Sequence, residues 1–356
     1  MLEMKGLLAI IIFLALSIGA IGQTTPLTQA EYVKLLYSLQ KDPQVRQEIV
    51  DALRKRGISF ALTDGVRGLT RSKSSGDEEL QRSLEEAERR RQNPQGAQMP
   101  APKDAGAILE RTRANTLEAV SEMPDFVVKQ QIQRSWAFGG TNNFKNLDRL
   151  VVAVSYRSTG EEDYRVLSTN GILNNDPKSK GSYEDTGGTS STGEFVTMLA
   201  TVFKPESETK FEIVDTDVIR TRKVLVFDFV VLKDKAKQMI TSAGRVTTDS
   251  TISGMKGRVW IDREIGRVLR IESEATEIPD NFPVRSAKRI IDYDWVTITD
   301  GKYLLPLLSD VRLTSRESSK LIETRNVIRF KDYQKYGTDV VIRDDDVEPE
   351  PATKKP

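Results

Sequence analysis

The spacing of apolar residues divides the chain into a helical first part and an extended second part. Thr28 and Glu31 form a capping box, and Tyr32, Val33, Leu35, Leu36 and Leu39 follow at helical spacing. Asp42-Pro43 supplies an N-cap and an N1 proline for a second helix carrying Ile49, Val50 and Leu53. Arg54, Lys55 and Arg56 fall in its last turn, where the helix dipole favours cations, and Gly57 ends it. Phe60 and Leu62 lead through Thr63 into a short helix, and Asp77 caps another running from Glu78 to Arg91. Residues 28–93 therefore predict a small all-α domain with few core positions. Residues 94–103 are rich in proline and polar side chains; they read as a linker. One more helix opens at Asp104, with Ile108, Leu109, Leu117 and Val120 on its apolar side, and stops before Pro124.

From Asp125 the period changes to two. Segments 126–128, 150–156, 164–167, 211–214, 223–232, 257–262, 267–275, 285–298, 303–313 and 321–330 all read as strands. Asp262 to Gly266 has the residues of a type I turn closed by a left-handed glycine, and Asp300-Gly301 is a two-residue hairpin signal. In 267–274, Leu269 and Ile271 alternate with Arg270, Glu272 and Glu274, so that strand has one wet face. In 223–232, Leu225, Phe227, Phe229 and Val231 fill one face, and Val224, Val226 and Val230 fill the other around Asp228. A strand apolar on both faces is covered on both. Ser191-Thr192-Gly193-Glu194 reads as a second capping box, opening a helix with Phe195, Met198, Leu199, Val202 and Phe203 that Pro205 closes. The expected fold is α+β over residues 104–338: a large, strongly bent antiparallel sheet, an incomplete barrel, with a covering helix, beside the small N-terminal all-α domain. A sandwich is the second choice.

Residues Gly6 to Gly22 carry no charge and follow Lys5; small residues at Ala20 and Gly22 complete the pattern of a Sec signal peptide over residues 1–22, cleaved before Gln23. The competing reading is an uncleaved anchor at the short limit for spanning a bilayer. After cleavage no integral membrane segment is expected, and the mature protein is placed outside the cytoplasm, in the periplasm or secreted. Residues 339–356, with Asp344 to Asp346 and a proline-rich end, predict a disordered tail.

Composition narrows the chemistry. The 356 residues include no histidine and no cysteine, with 53 Lys+Arg against 52 Asp+Glu. A Ser–His–Asp triad, a cysteine nucleophile, a Cys/His zinc site, disulfides and a lipid-anchoring cysteine are all excluded. The balanced charge argues against a nucleic-acid groove, so no nucleic-acid partner is expected. No cofactor and no metal is implied.

The segments GGTSSTGEF (Gly187 to Phe195), RVWIDREIGRVLRIE (Arg258 to Glu272), EIPDNFPVR (Glu277 to Arg285) and YLLPLLSDVRL (Tyr303 to Leu313) resemble a large group of exported proteins of acidobacterial type, a group with no assigned activity to carry over. LTQAEYVKLL and RGISFALT, near the N-terminus, resemble the helical module those proteins often carry. The VWID-x-x-x-G hairpin in a meandering sheet is similar to the outer-membrane lipoprotein carriers of LolA/LolB-like fold. That resemblance implies an incomplete barrel with helices over its concave face and an apolar cavity between them.

Several features have a chemical reading beside a plainer one. Asp292 and Asp294 in IIDYDW are spaced as a hydrolase pair or an oxygen-ligated metal site would need; the plainer reading is a solvent-facing stripe with Tyr293 and Trp295 buried. The glycines at 187–188 suggest an anion loop, or a hinge. Glu85 to Arg91 is most simply a solvated helix face. Phe195, Met198, Leu199, Val202 and Phe203, with Phe227 and Phe229, line either a solid core or a lipid-sized cavity. The preferred expectation is a non-enzymatic extracytoplasmic protein that binds an apolar ligand such as a lipid acyl chain in its curved sheet. The alternatives are an envelope protein-interaction module with a solid-core scaffold, and a carboxylate-dependent hydrolase.

Overall fold

The computed structural model describes residues 25–42, 45–94, 98–141, 143–174, 189–190, 192–243 and 248–337. The signal-peptide stretch, Pro43, the glycines at 187–188, Ser191 and the acidic tail lie outside the described residues.

Helices α1 (Gln29–Leu39), α2 (Val45–Arg56), α3 (Asp64–Lys73) and α4 (Glu78–Gln92) form the N-terminal helical region. Their starts follow from local chemistry. Thr28 accepts from the Glu31 N–H while Glu31 bonds back to the Thr28 N–H, and Thr63 and Asp77 cap α3 and α4 in the same sense. Leu27, Tyr32, Leu36, Ile49, Val50, Leu53, Leu80 and Leu84 form its core, and the Tyr32 hydroxyl meets Thr70 Oγ1 at 2.9 Å.

Helix α5 (Pro102–Ser121) leads into strands β1 (Phe126–Phe138), β2 (Lys145–Tyr156), β3 (Glu162–Thr169) and β4 (Ile172–Leu173). The short α6 (Thr197–Phe203) follows, then β5 (Lys210–Ile219) and β6 (Arg222–Val231). A single turn, α7 (Lys233–Ala236), precedes β7 (Gln238–Ala243), β8 (Thr248–Asp262), β9 (Val268–Thr276), β10 (Val284–Ile298), β11 (Gly301–Glu317) and β12 (Lys320–Lys335).

All twelve strands belong to one open sheet, ordered β4-β3-β2-β1-β12-β11-β10-β9-β8-β6-β5, with β7 on β8. Every pairing is antiparallel, and β12 returns to pair with β1 from Phe126↔Lys335 to Phe138↔Ile322. The α+β class and the large bent sheet are as the sequence predicts.

Both faces of the sheet are covered, by different helices. On the inner face, α5 and α6 pack on Leu225, Phe227, Phe229, Val231, Val259, Ile271 and Ile291. Asn115 of α5 donates to the carbonyls of Ile265 and Gly266, pinning that helix to the β8–β9 turn. The turn is built as expected: Asp262 Oδ1 accepts from the N–H groups of Glu264 and Ile265, and Gly266 takes φ +59°. On the outer face, Val224, Val226, Trp260 and Leu269 form a smaller cluster beneath the helical region.

Four expectations change. The face of β9 expected in water is covered, with Arg270 on Asp292 and Glu272 on Arg82, and a register shift at Trp260/Ile261 puts Leu269 in the outer cluster while Ile271 stays in the inner one. The α4 charged face is only partly solvated: Glu86 is 1% exposed among the arginines that reach carboxylates on the sheet, and Glu88, 6% exposed, is held within the helix by Arg91, which is itself exposed. Helix α6 begins at Thr197 rather than in a capping box at 191–194. Gly193 takes φ +79° and gives its N–H to Glu162 at 3.0 Å, so the chain is still turning there and Phe195 precedes the helix. The β10–β11 turn is centred on Thr299-Asp300, with Ile298 opposite Gly301 and Thr299 left-handed at φ +54°.

Candidate functional site

The inner face holds all seven sequence-proposed residues. Phe195 is 2% exposed, and its ring packs against Phe126, Tyr156 and Phe330 at 5.2, 5.8 and 5.6 Å. Met198, Val202 and Phe203 are buried in the cluster that contains Phe227 and Phe229, with Leu199 half-buried against it. Phe203 stacks on Phe211 at 5.5 Å, which in turn lies 6.4 Å from Phe229. The segment Phe195–Phe203 thus joins the two inner clusters, one under β1, β2 and β12 and the other under β6, β8, β9 and β10.

A polar knot sits at the start of this segment. Glu194 is fully buried, and Glu162 accepts from the Gly193 N–H and the Tyr164 hydroxyl. Burial pushes the Glu162 carboxyl and the Tyr164 and Tyr293 phenols above their ordinary values. Beside α6 a pocket of about 420 Å³ is lined by Val120, Tyr156, Val196, Ala200 and Ala236 and by a larger set of polar residues that includes Lys204, Glu206 and Lys235.

The larger opening is on the outer face. A cleft of about 680 Å³ runs between the helical region and the sheet, and its walls are mostly charged. Arg46 binds Asp77 and Glu79, both at 2.6 Å, and Arg54 binds Glu79 at 2.7 Å. Across the cleft, Arg258 of β8 holds Asp228 of β6 at 2.7 Å and approaches Glu79 at 3.6 Å. Lys256 and Lys288 flank Glu274 at 3.9 and 3.6 Å, and Arg312 sits between Asp310 and Glu323 at 3.6 and 3.9 Å. Burial lifts the Asp228 carboxyl to about 6 against the opposing pull of Arg54. For Glu79 burial acts the same way, but the bonds from Arg46 outweigh it and the carboxyl titrates below its ordinary range.

Deeper under α4 the seam is tighter. Arg82, Arg89 and Arg90 bind Glu272, Asp217 and Asp215, and the Trp260 indole N–H donates to Asp217 at 3.1 Å. Glu86 lies among them, and burial followed by the charges of Asp215 and Asp217 raises its carboxyl far above the usual range.

The cleft and this seam escaped sequence reasoning; the one signal was Asp228, which lies in the cleft, interrupting an apolar strand face. The Asp292 and Asp294 pair is separated by its partners. Asp292 is bound by Arg270 through bonds of 2.6 and 2.9 Å, Asp294 lies 3.6 Å from Arg220, and neither lines the cleft or the pocket. Tyr293 is buried as expected, whereas Trp295 is 40% exposed. Among the described residues no group of three or more acidic side chains is arranged to hold a metal ion, and no helix is long and apolar enough to cross a membrane.

No protein-family model and no curated protein matches the sequence. Among solved structures, the chain is similar to a DUF1329 family protein from Desulfovibrio piger, at 11% identity over 67% of this chain and 97% of that one, with a TM-score of 0.27. It is also similar to a chain of the Pseudomonas aeruginosa MucA/MucB complex, at 8% identity over 62% and 94%, with a TM-score of 0.18. A structure of MucB in complex with MucA(peri) gives 8% identity over 63% and 94%, with a TM-score of 0.17. With overlaps this low, these likenesses assign neither a fold family nor an activity to the chain.

Proposed function

We propose that the chain is a non-enzymatic extracytoplasmic interaction module of LolA/LolB-like architecture, and that it engages an envelope protein through the charged cleft between its helical region and its sheet. One observation carries this reading: the apolar face of the sheet is closed by α5 and α6, whereas the large open surface is polar and built from both parts of the chain. Paired charges on a rim select a partner and set its orientation more than they supply raw affinity. The test is capture from an envelope extract by the chain and by a double variant, Lys288→Glu with Arg312→Glu. Loss of a discrete captured protein in the variant supports the reading; equal capture by both chains overturns it.

The pocket beside α6 favours a second reading, an apolar ligand such as a lipid acyl chain. Tyr156 and Val196 on one side of it and Ala236 on the other belong to the two inner clusters, the remaining wall is largely polar, and α6 is only seven residues long. Lipid mass spectrometry on the purified chain tests this: a stoichiometric acyl species, lost in Ala200→Trp, supports it, and a lipid-free protein that takes up no fluorescent fatty acid rules it out.

A further inference from the structure

We propose that β7 is a pairing edge, through which two copies of this chain associate strand to strand. Three strands have a single strand neighbour among the described residues: β4, β5 and β7. Unpaired edges invite another strand, and proteins guard them with charge, register breaks, shortness or a covering element. Strand β4 is guarded by its length of two residues. Strand β5 is guarded three times over. It carries Lys210, Glu212, Asp215 and Asp217, its register shifts between Ile213 and Asp215, and Arg89 and Arg90 of α4 hold its acidic residues.

Among the described residues strand β7 has none of these guards. Its sequence, QMITSA, contains no charge and no proline, and it runs in unbroken register against β8 from Gln238↔Ser253 to Ala243↔Thr248. Its inner side is anchored by Ile240, which packs with Phe282 and Val284, so the strand is held in place. Its outer side presents Met239, 71% exposed, beside its cross-strand partner Ile252, 45% exposed.

The lack of charge favours a second copy as the occupant. When a strand pairs antiparallel with itself about a two-fold axis, each residue near the axis meets itself or a close neighbour, so a central Lys or Glu would face its own like charge. In β7 the residue near the middle is the exposed Thr241, and Thr–Thr is a favourable cross-strand pair. The same two-fold brings the exposed Met239 side chains of the two copies to one face of a four-stranded ribbon. A contact of six residues from each copy falls below roughly 1,200 Å² of buried surface, the size of weak, reversible association.

Sedimentation velocity over a concentration series tests this on the chain from Gln23 onward, which contains every described residue. The expected result is a monomer–dimer equilibrium that Thr241→Lys weakens at least about tenfold through like-charge repulsion. Met239→Lys is the second variant, and an unchanged circular dichroism melt shows that each variant is folded. A chain that stays monomeric at every concentration overturns the proposal. So does a dimer that both variants leave intact.

Discussion

Arg82 of α4 lies with its guanidinium 5.1 Å over the ring of Trp260 on β8, the face of the indole turned towards the helical region. The same guanidinium binds Glu272 on β9, and burial raises that carboxyl against the pull of Arg82 and Arg270. One side chain therefore serves as cover for an apolar ring and counter-ion for a buried acid. Replacing it by alanine leaves Glu272 buried without its partner, which costs about 3–5 kcal/mol. Urea denaturation of Arg82→Ala measures this, and a loss under about 1 kcal/mol would mean the seam contributes little.

Glu86 makes the same seam sensitive to pH. Its carboxyl is raised by burial and by Asp215 and Asp217, so the folded chain binds a proton that the unfolded chain releases near pH 4.3. Stability associated with this group is thus fully present below that pH and declines as pH rises toward the folded value. Glu86→Gln removes the dependence. The variant is expected to match the parent near pH 4 and to melt at higher temperature as pH approaches neutrality. Parallel melting curves across that range would contradict the assignment.

Asp228 gives a spectroscopic reading of the cleft. Its carboxyl titrates at about 6, raised by burial and opposed by Arg54. Arg54→Met is expected to move that titration further up, as followed by carboxylate carbon shifts. A downward movement would show that Arg54 is not the controlling charge.

The inner face distinguishes a solid core from a ligand-lined one. Phe203, the last residue of α6, is fully buried against Phe211 and the cluster of Phe227 and Phe229. In a solid core Phe203→Ala costs about 3–5 kcal/mol. A cost below about 1 kcal/mol, together with uptake of an apolar dye by the parent chain, would favour the ligand reading.

What the sequence made legible was local. The Thr28–Glu31 box, the Thr63 and Asp77 caps and the Asp262–Gly266 turn all depend on residues within a few positions of one another. The two apolar faces of β6 were equally plain from Val224 to Phe227, since alternation is a short-range pattern, whereas Val230, read as covered, is 43% exposed. The seam was not legible, because Arg89 and Arg90 find Asp217 and Asp215 on a strand 128 and 125 residues further along the chain. Read alone, the α4 sequence offers i,i+4 partners for its charges, and a solvated face is the natural inference. Trp295 failed for a related reason. Alternation puts it on the same side of β10 as Tyr293, but it sits near the strand end, with Lys302 5.7 Å from its ring.

The pairing of β12 with β1 sets when this protein is able to fold. Phe126 waits for Lys335 and Phe138 for Ile322, so the centre of the sheet is assembled from the two ends of the β region. Contacts this far apart in sequence must meet the loop-closure entropy before they add stability, and such topologies fold slowly. A ribosome releasing the chain from its N-terminus has made β1 and β2 long before β12 exists. The strand order thus acts as a clock: until the last strand emerges, the first has one neighbour and one bare edge.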